Sequence, residues 1–157
     1  MHKSAQPRRR AGFTLTEILI AVAIVAVLVA VAIPSFERHR QKTLILQAVA
    51  DIAGVSVTIG HYQLNNGSMP PSLKEVGFGA RMDPWGRPYQ YLDLETKKGN
   101  GQARKDKKLA PLNSDFDLYS LGKDGLSQGP LNAKVSRDDV VRARDGKFVG
   151  LATNFDP

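Results

Sequence analysis

A single carboxylate, Glu17, lies near the start of a long apolar segment. Residues 13 to 33 contain no other charged residue and neither Gly nor Pro. As a helix that rises about 1.5 Å per residue, this segment would be roughly 31 Å long, about the thickness of a bilayer core. An ionisable group inside such a segment is costly and marks a functional site. Because a buried charge needs an opposite charge, Glu17 is predicted to pair with a cationic partner.

A second group of residues with oxygen ligands lies in the last third of the chain. Asp124 stands in the stretch L-G-K-D-G at positions 121–125, and Asp138 and Asp139 follow after a loop. Calcium takes about six to eight oxygen ligands, and loops that contain glycine can turn backbone carbonyls inward beside one or two carboxylates. A calcium site therefore competes with a simpler interpretation, in which Asp124 belongs to a turn and the aspartate pair is solvated.

Catalytic chemistry has little support in the sequence. The three histidines, His2, His39 and His61, belong to no recognisable constellation. No serine is accompanied by the motif of a nucleophile elbow, and a Gly-rich phosphate loop is missing. The chain is therefore predicted not to be an enzyme, and a membrane-anchored periplasmic enzyme or binding protein is kept as the alternative from a different functional class.

The helical pattern continues beyond the apolar segment. Pro34 removes a backbone hydrogen bond, so a kink is expected near this residue. Apolar residues then recur at intervals of three and four between Ile45 and Tyr62, which predicts an amphipathic helix that packs on a small domain. The opposite face of this helix is predicted to carry Gln47, Asp51 and Ser56.

Turn and strand signals fill the rest of the chain. The stretch D-P-W-G-R-P-Y-Q-Y at positions 83–91 is typical of turns that lead into a strand with Tyr89 and Tyr91 on one face. Further strands are predicted near 117–121 and 147–151, and a short helix near 73–76. The predicted fold class is α+β, with a long N-terminal hydrophobic helix, kinked near Pro34, packed on a small antiparallel sheet.

The charge distribution disfavours nucleic acid as a partner. The formal net charge is +7, but four basic residues precede the apolar segment, and without them 18 basic and 15 acidic residues remain. The basic cluster between positions 97 and 108 lacks interleaved aromatic residues and predicts a solvated loop. Its members are Lys97, Lys98, Arg104, Lys105, Lys107 and Lys108.

The stretch G-F-T-L-T-E-I-L-I at positions 12–20 resembles the cleavage and methylation signal of type IV pilins and type II secretion pseudopilins. The resemblance implies that a prepilin peptidase removes the basic leader after Gly12 and that the new terminus, Phe13, is N-methylated. It also implies that Glu17 guides assembly by pairing with the terminal amine of a neighbouring subunit. The apolar segment is too long for a secretory signal peptide, whose apolar region has about 7 to 15 residues. A plain signal anchor would leave Glu17 and the Gly12-Phe13 junction unexplained.

Two further stretches, 83–91 and Y-S-L-G-K-D-G at 119–125, are similar to segments of the major pseudopilin of type II secretion. This likeness implies calcium in the second stretch, with the side chain of Asp124 and the carbonyl of Leu121 as ligands. Either Asp138 or Asp139 would supply the second carboxylate. The chain has no cysteine, which excludes the disulfide-bounded loop of many true pilins and favours a pseudopilin.

The resemblance organises the chain into four parts. These are a leader at 1–12, a transmembrane and filament-core helix at 13–33, an amphipathic second half of the helix at 34–65, and a small periplasmic α+β domain at 66–157. The implied function is that of a major pseudopilin, a structural subunit of a type II secretion pseudopilus that pushes folded proteins across the outer membrane. A type IV pilin, a competence-type pilin or a minor pseudopilin is the alternative.

The same resemblance implies a location and a set of partners. The chain would cross the bacterial inner membrane once, with its C-terminal domain in the periplasm, and would then join a periplasmic pseudopilus. The implied partners are further copies of the chain, the prepilin peptidase and methylase, minor pseudopilins, the inner-membrane assembly platform and its ATPase, and the outer-membrane secretin.

Overall fold

The computed structural model describes residues 12–96 and 101–157. One long helix, α1, is followed by four strands, and the chain divides into two compact units at Arg40 and Gln41. The elements are α1 (Leu15–Asn66), β1 (Gln90–Asp93), β2 (Phe116–Ser120), β3 (Val140–Ala143) and β4 (Phe148–Leu151). Two single turns of 3-10 helix, Lys134–Ser136 and Ala152–Asn154, flank β3 and β4.

The described part of the first unit is the beginning of α1 and the residues just before it. Every residue from 12 to 34 is exposed in the isolated chain. An 18-residue window of α1 has a mean hydropathy of 3.0, and none of it is buried, so the helix is long and apolar enough to cross a membrane. The helix continues through Pro34 without a break. The kink near Pro34 stays a prediction.

The second unit contains the antiparallel sheet. The strands lie in the order β1-β2-β3-β4, and each pairs with the next, for example Tyr91 with Leu118 and Val141 with Gly150. Because side chains alternate along a strand, β2 presents Phe116 and Leu118 to one face of the sheet and Tyr119 to the other. The predicted α+β fold is confirmed, and β1, β2 and β4 correspond to the predicted strands, whereas β3 was not predicted.

The second half of α1 covers the first face of this sheet. Ile52 and Ile59 are fully buried against Tyr89 and Phe116 in a cluster that also contains Val140 of β3. The prediction that the regularly spaced apolar residues form the core face of α1 is therefore confirmed. The helix residues buried in this cluster are Ala48, Ile52, Val55 and Ile59, with Ile45 and Val49 partly buried beside them.

Asp51 does not lie on the solvent face, and its predicted position was wrong. The residue is 8% exposed, because it precedes Ile52 on the edge of the core face. Its carboxylate accepts a hydrogen bond from the Tyr89 hydroxyl at 2.9 Å and forms an ion pair with Arg81. Burial, together with the neighbouring Asp51 carboxylate, raises the pKa of Tyr89, so the hydroxyl stays protonated and donates. These bonds compensate the burial of the Asp51 charge.

The second face of the sheet is covered by the segment that precedes β2 and by residues near β3 and β4. Leu112 packs there beside Val141 in a second apolar cluster. Arg104 also turns inward and is only 3% exposed, so its placement in a solvated loop was wrong. Of the other residues predicted in that loop, Lys105, Lys107 and Lys108 are exposed, whereas Lys97 and Lys98 lie outside the described residues.

The prediction of a short helix at 73–76 was also wrong, because these residues form consecutive turns. The amide of Gly77 donates to the Lys74 carbonyl at 3.0 Å, and the amide of Phe78 donates to the Leu73 carbonyl at 2.8 Å. Gly77 has a φ of 76°, a left-handed conformation that ends a helix. The chain therefore leaves the helical path before a full helix has formed.

Replacing Ile52 by alanine should lower the free energy of unfolding by about 2–5 kcal/mol, because it leaves a cavity between α1 and the sheet. Denaturant unfolding of the full chain in detergent micelles measures this change. The matched control is Val57→Ala on the same helix, where the side chain is 62% exposed. The control should change the free energy by no more than about 0.5 kcal/mol. Equal effects of the two substitutions would contradict this description of the core.

Candidate functional site

The amino-terminal site is a capping arrangement at the start of α1. The Oε2 atom of Glu17 accepts hydrogen bonds from the amide of Thr14 at 2.8 Å and from the Thr14 hydroxyl at 3.0 Å. In return, the Oγ1 atom of Thr14 accepts from the amide of Glu17 at 3.2 Å. This reciprocal pattern is a capping box, with Thr14 as the N-cap residue. The carboxylate also lies at the positive end of the helix dipole, which favours its charge.

Thr14 is a residue that the sequence reasoning missed, although the T-x-x-E spacing at positions 14 to 17 is a known signal for a capping box. The junction of Gly12 and Phe13 lies just before the helix and is exposed, with Phe13 84% exposed. The peptide bond at this junction is therefore accessible. Residues 1–11 of the predicted leader lie outside the described residues.

In the second unit, Asp83 joins the stretch 83–91 to the stretch 119–125. Its Oδ1 atom accepts from the amides of Trp85 at 3.0 Å and Arg87 at 2.8 Å. Its Oδ2 atom accepts from the Ser120 hydroxyl at 2.6 Å, and the oxygen of that hydroxyl accepts from the amide of Gly122 at 3.1 Å. One buried carboxylate thus shapes the turn at 83–87 and ties it to the loop that follows β2.

The side chain of Arg87 reaches the same loop. Its Nη1 atom donates to the carbonyl of Gly122 at 2.9 Å and lies 3.4 Å from the carbonyl of Lys123. Gly125 has a φ of 73°, and a Cβ atom there would lie 2.7 Å from Nη2 of Arg87. Glycine at this position therefore provides the space that the guanidinium occupies.

Asp124 and Asp138 lie beside each other at this loop. The Oδ2 atom of Asp138 accepts from the amide of Asp124 at 2.9 Å. The Oδ1 atom of Asp124 accepts from the amide of Leu126 at 2.8 Å, which is the bond of an Asx turn. Gly122 has a φ of 62°, and a Cβ atom there would lie 2.6 Å from the carbonyl carbon of Asp138. This close approach requires glycine.

Asp139 is engaged elsewhere. It is fully buried, and its Oδ2 atom accepts from Nη2 of Arg104 at 2.6 Å and from the hydroxyl of Ser127 at 2.6 Å. Arg104 also donates to the Ser127 hydroxyl oxygen and lies 4.4 Å from the centre of the Tyr119 ring. Burial raises the pKa of Asp139 to about 6, and the bonds from Ser127 and Arg104 oppose this rise. The Oδ1 atom has no hydrogen-bond partner among the described residues.

The oxygen atoms of this loop and of the two aspartates fit a calcium ion poorly. Within residues 12–96 and 101–157, no group of three or more histidines and carboxylates gathers where it could hold a metal. The carbonyl of Leu121 already accepts from the amide of Gly125 at 3.2 Å. Asp124, Asp138 and Asp139 each accept at least one hydrogen bond from the protein. Calcium at this loop stays a prediction, and Asp138 is the aspartate of the pair that lies beside Asp124.

Comparison with known proteins gives one motif and a set of relatives. The prokaryotic N-terminal methylation motif matches residues 7–33. Type II secretion system core protein G of Pseudomonas aeruginosa is 29% identical over 148 residues, which cover 81% of this chain and 93% of the relative. The protein of the same name from Aeromonas hydrophila is 28% identical and covers 76% of this chain and 87% of the relative.

A fimbrial protein of Neisseria meningitidis serogroup A is also similar. It is 25% identical over 148 residues, which cover 91% of this chain and 85% of the relative. No solved structure matches the chain.

Replacing Gly122 by alanine should destabilise the second unit more than replacing Gly67, although both glycines have a positive φ. Gly67→Ala should cost about 1–2 kcal/mol from backbone strain alone, since a Cβ atom there meets nothing within 4 Å. Gly122→Ala should cost about 1–3 kcal/mol more, because the added methyl group collides with Asp138. Denaturant unfolding of the full chain compares the two variants, and equal costs would rule out the close approach at Gly122.

Proposed function

Because the chain carries the prokaryotic methylation motif and is similar over most of its length to type II secretion core protein G, we propose that it is the major pseudopilin of a type II secretion system. It is a structural subunit that polymerises into a pseudopilus. Growth of the filament from its base pushes folded proteins across the outer membrane. The recurrence of core protein G among the relatives favours this function, which the sequence also predicted.

One observation carries the proposal: the exposed apolar part of α1 has a single charge, and that charge lies at its first turn. A helix with such a surface is stable only in lipid or against other apolar helices. In the filament, the helices of neighbouring subunits replace the lipid. Glu17, placed at the helix start, is then in reach of a neighbour's amino terminus.

Processing prepares that amino terminus. The peptidase cleaves the exposed bond after Gly12, and the freed amine of Phe13 is methylated but keeps its positive charge. The leader carries Lys3 and Arg8 to Arg10, which hold it on the cytoplasmic side of the inner membrane. Residues 41–157 then lie in the periplasm.

The capping box suggests how the Glu17 side chain is held before assembly. In the isolated chain its carboxylate accepts two hydrogen bonds from Thr14, so it does not enter the membrane without partners. In the filament the methylated amine of a neighbouring Phe13 supplies the opposite charge. A buried ion pair of this kind is stable only when both partners are present, which makes assembly selective for processed subunits.

The proposed partners follow from this role. The subunit polymerises with further copies of itself and with minor pseudopilins, and the prepilin peptidase and methylase act on it first. An inner-membrane platform with its ATPase adds the subunits, and an outer-membrane secretin provides the exit. The relatives are named as secretion core proteins and fimbrial proteins, and neither name denotes an enzyme.

The second candidate function is that of a pilin. The fimbrial protein of Neisseria meningitidis covers 91% of this chain, a larger share than the core protein G of Pseudomonas aeruginosa covers. The lower identity of 25% and the absence of cysteine favour the pseudopilin. Deleting the gene in its own host distinguishes the two, because loss of secreted proteins supports the pseudopilus and loss of surface fibres supports the pilus.

Glu17→Ala should leave insertion into the membrane intact but reduce filament yield by at least about tenfold, because breaking a buried ion pair costs about 3–5 kcal/mol. Sheared filaments and membrane-bound subunits are quantified in the same cells. Glu37→Ala is the matched control, since it removes a carboxylate of the same helix whose side chain is 44% exposed and lies 3.8 Å from Arg40, and it should assemble normally. A normal yield from the Glu17 variant would exclude the proposed role of this residue.

The mature amino terminus is the second test. Protein purified from its native membrane should begin at Phe13 and should carry one added methyl group, because the peptidase is proposed to cut after Gly12. Mass spectrometry of the amino-terminal peptide measures both features. Protein that retains Met1, or that is cleaved after residue 33, would exclude the pseudopilin pathway.

A further inference from the structure

We infer that Arg87 and Arg104 provide the positive charge at the loop 121–125 and its neighbour Asp139, and that the fold of this loop needs no calcium ion. The resemblance to major pseudopilins implied a metal here. Arg104 disagrees with that expectation at Asp139, and Arg87 contacts the two carbonyls that follow the expected ligand, the carbonyl of Leu121. The stability of the loop is a property of the isolated chain and does not depend on whether the chain forms filaments.

Arg87 takes the role of a cation at the loop carbonyls. Its Nη1 atom lies 2.9 Å from the Gly122 carbonyl oxygen and 3.4 Å from that of Lys123. Carbonyl oxygens that converge in a loop are the kind of ligand that calcium uses, and here a guanidinium satisfies two of them. An arginine fork can donate to several acceptors at once, which suits it to this position.

The backbone around Arg87 holds this side chain in place. Its amide donates to Oδ1 of Asp83 at 2.8 Å, and its carbonyl accepts from the amide of Asp83 at 2.6 Å. Asp83 is in turn bonded to Ser120, and Ser120 to Gly122. The turn that carries Arg87 is therefore anchored to the same loop whose carbonyls it contacts, and the absence of a side chain at Gly125 leaves room for the guanidinium.

Arg104 takes the corresponding role at Asp139. The two side chains are 3% and 0% exposed and form an ion pair at 2.6 Å. Ser127 contacts both partners, so the charged groups are joined by three hydrogen bonds. The guanidinium also lies over the ring of Tyr119. A buried carboxylate that needs an opposite charge thus obtains it from within the chain.

The remaining oxygen atoms are too few for a calcium site. Asp124 and Asp138 keep one carboxylate oxygen each outside the bonds described above, and Oδ1 of Asp139 is buried beside Arg104. Calcium takes about six to eight oxygen ligands. An ion close enough to share Asp139 would also approach the Arg104 guanidinium, and like charges repel strongly in a partly buried site.

The first experiment measures thermal unfolding of the full chain in detergent micelles, with millimolar calcium and with a chelator. The expected melting temperature is the same in both solutions, and titration calorimetry with calcium alone should give no binding heat. A ligand that binds the folded state must raise the melting temperature. A higher melting temperature in calcium would overturn the inference, and this outcome does not depend on any variant.

The second experiment compares Arg87→Gln with Arg137→Gln. Both substitutions remove one positive charge near the loop, but Arg137 is exposed, so its variant controls for the change in charge. Arg87→Gln should lower the melting temperature by about 5 °C more than Arg137→Gln. It should also speed amide hydrogen exchange at Gly122, Asp124 and Gly125 by about tenfold, because hydrogen bonds from a charged donor are lost.

The two variants decide the role of Arg87 independently of filament assembly. Equal melting temperatures and equal exchange rates in the two variants would overturn the assignment of Arg87 as the internal cation. A response to calcium that is absent in the unmodified chain but present in Arg87→Gln would support it, because removing the guanidinium would then have freed the carbonyls for a metal ion.

Discussion

Exposed apolar surface on the first part of α1 is the constraint on which the rest of this chain depends. The side chains of residues 18 to 33 lie open to the surroundings, and water is a poor solvent for them. The same helix, beyond residue 41, buries Ile52 and Ile59 under a sheet. Residues 18–33 of α1 are thus exposed, whereas Ala48, Ile52, Val55 and Ile59 of the same helix belong to the core.

The second constraint is that a carboxylate placed at a helix start or inside the domain needs a donor or an opposite charge. Glu17 uses Thr14, Asp83 uses two backbone amides and Ser120, and Asp139 uses Arg104 and Ser127. The Thr14 bonds of Glu17 and the amide bonds of Asp83 are local, whereas the bond from Ser120 to Asp83 joins distant parts of the chain. The partners of Asp139 also come from distant segments. The pattern explains how a small domain without cysteine holds its long loops together.

Much of the fold could be predicted because periodicity and turn chemistry are local. The spacing from Ile45 to Tyr62 predicted the core face of α1, and the stretches at 117–121 and 147–151 predicted two strands. The short helix at 73–76 could not be predicted correctly, because the left-handed conformation of Gly77 ends the turn before a helix forms. Arg104 was placed in a solvated loop, since a cluster of basic residues says nothing about a carboxylate that lies 35 residues away in the chain.

By itself, the sequence determined the features that predict the amino-terminal site. These are the position of Glu17 in an otherwise uncharged segment, the Gly12-Phe13 junction and the resemblance that both carry. These features depend on residue types within one short stretch, so no knowledge of the fold was needed. Only the tertiary structure decided which charges meet in the second unit. The Asp51 carboxylate is hydrogen-bonded to Tyr89. Arg87 donates a hydrogen bond to the carbonyl of Gly122, and Arg104 donates one to Asp139. Such contacts join residues far apart in the chain, and burial and packing bring them within hydrogen-bonding distance.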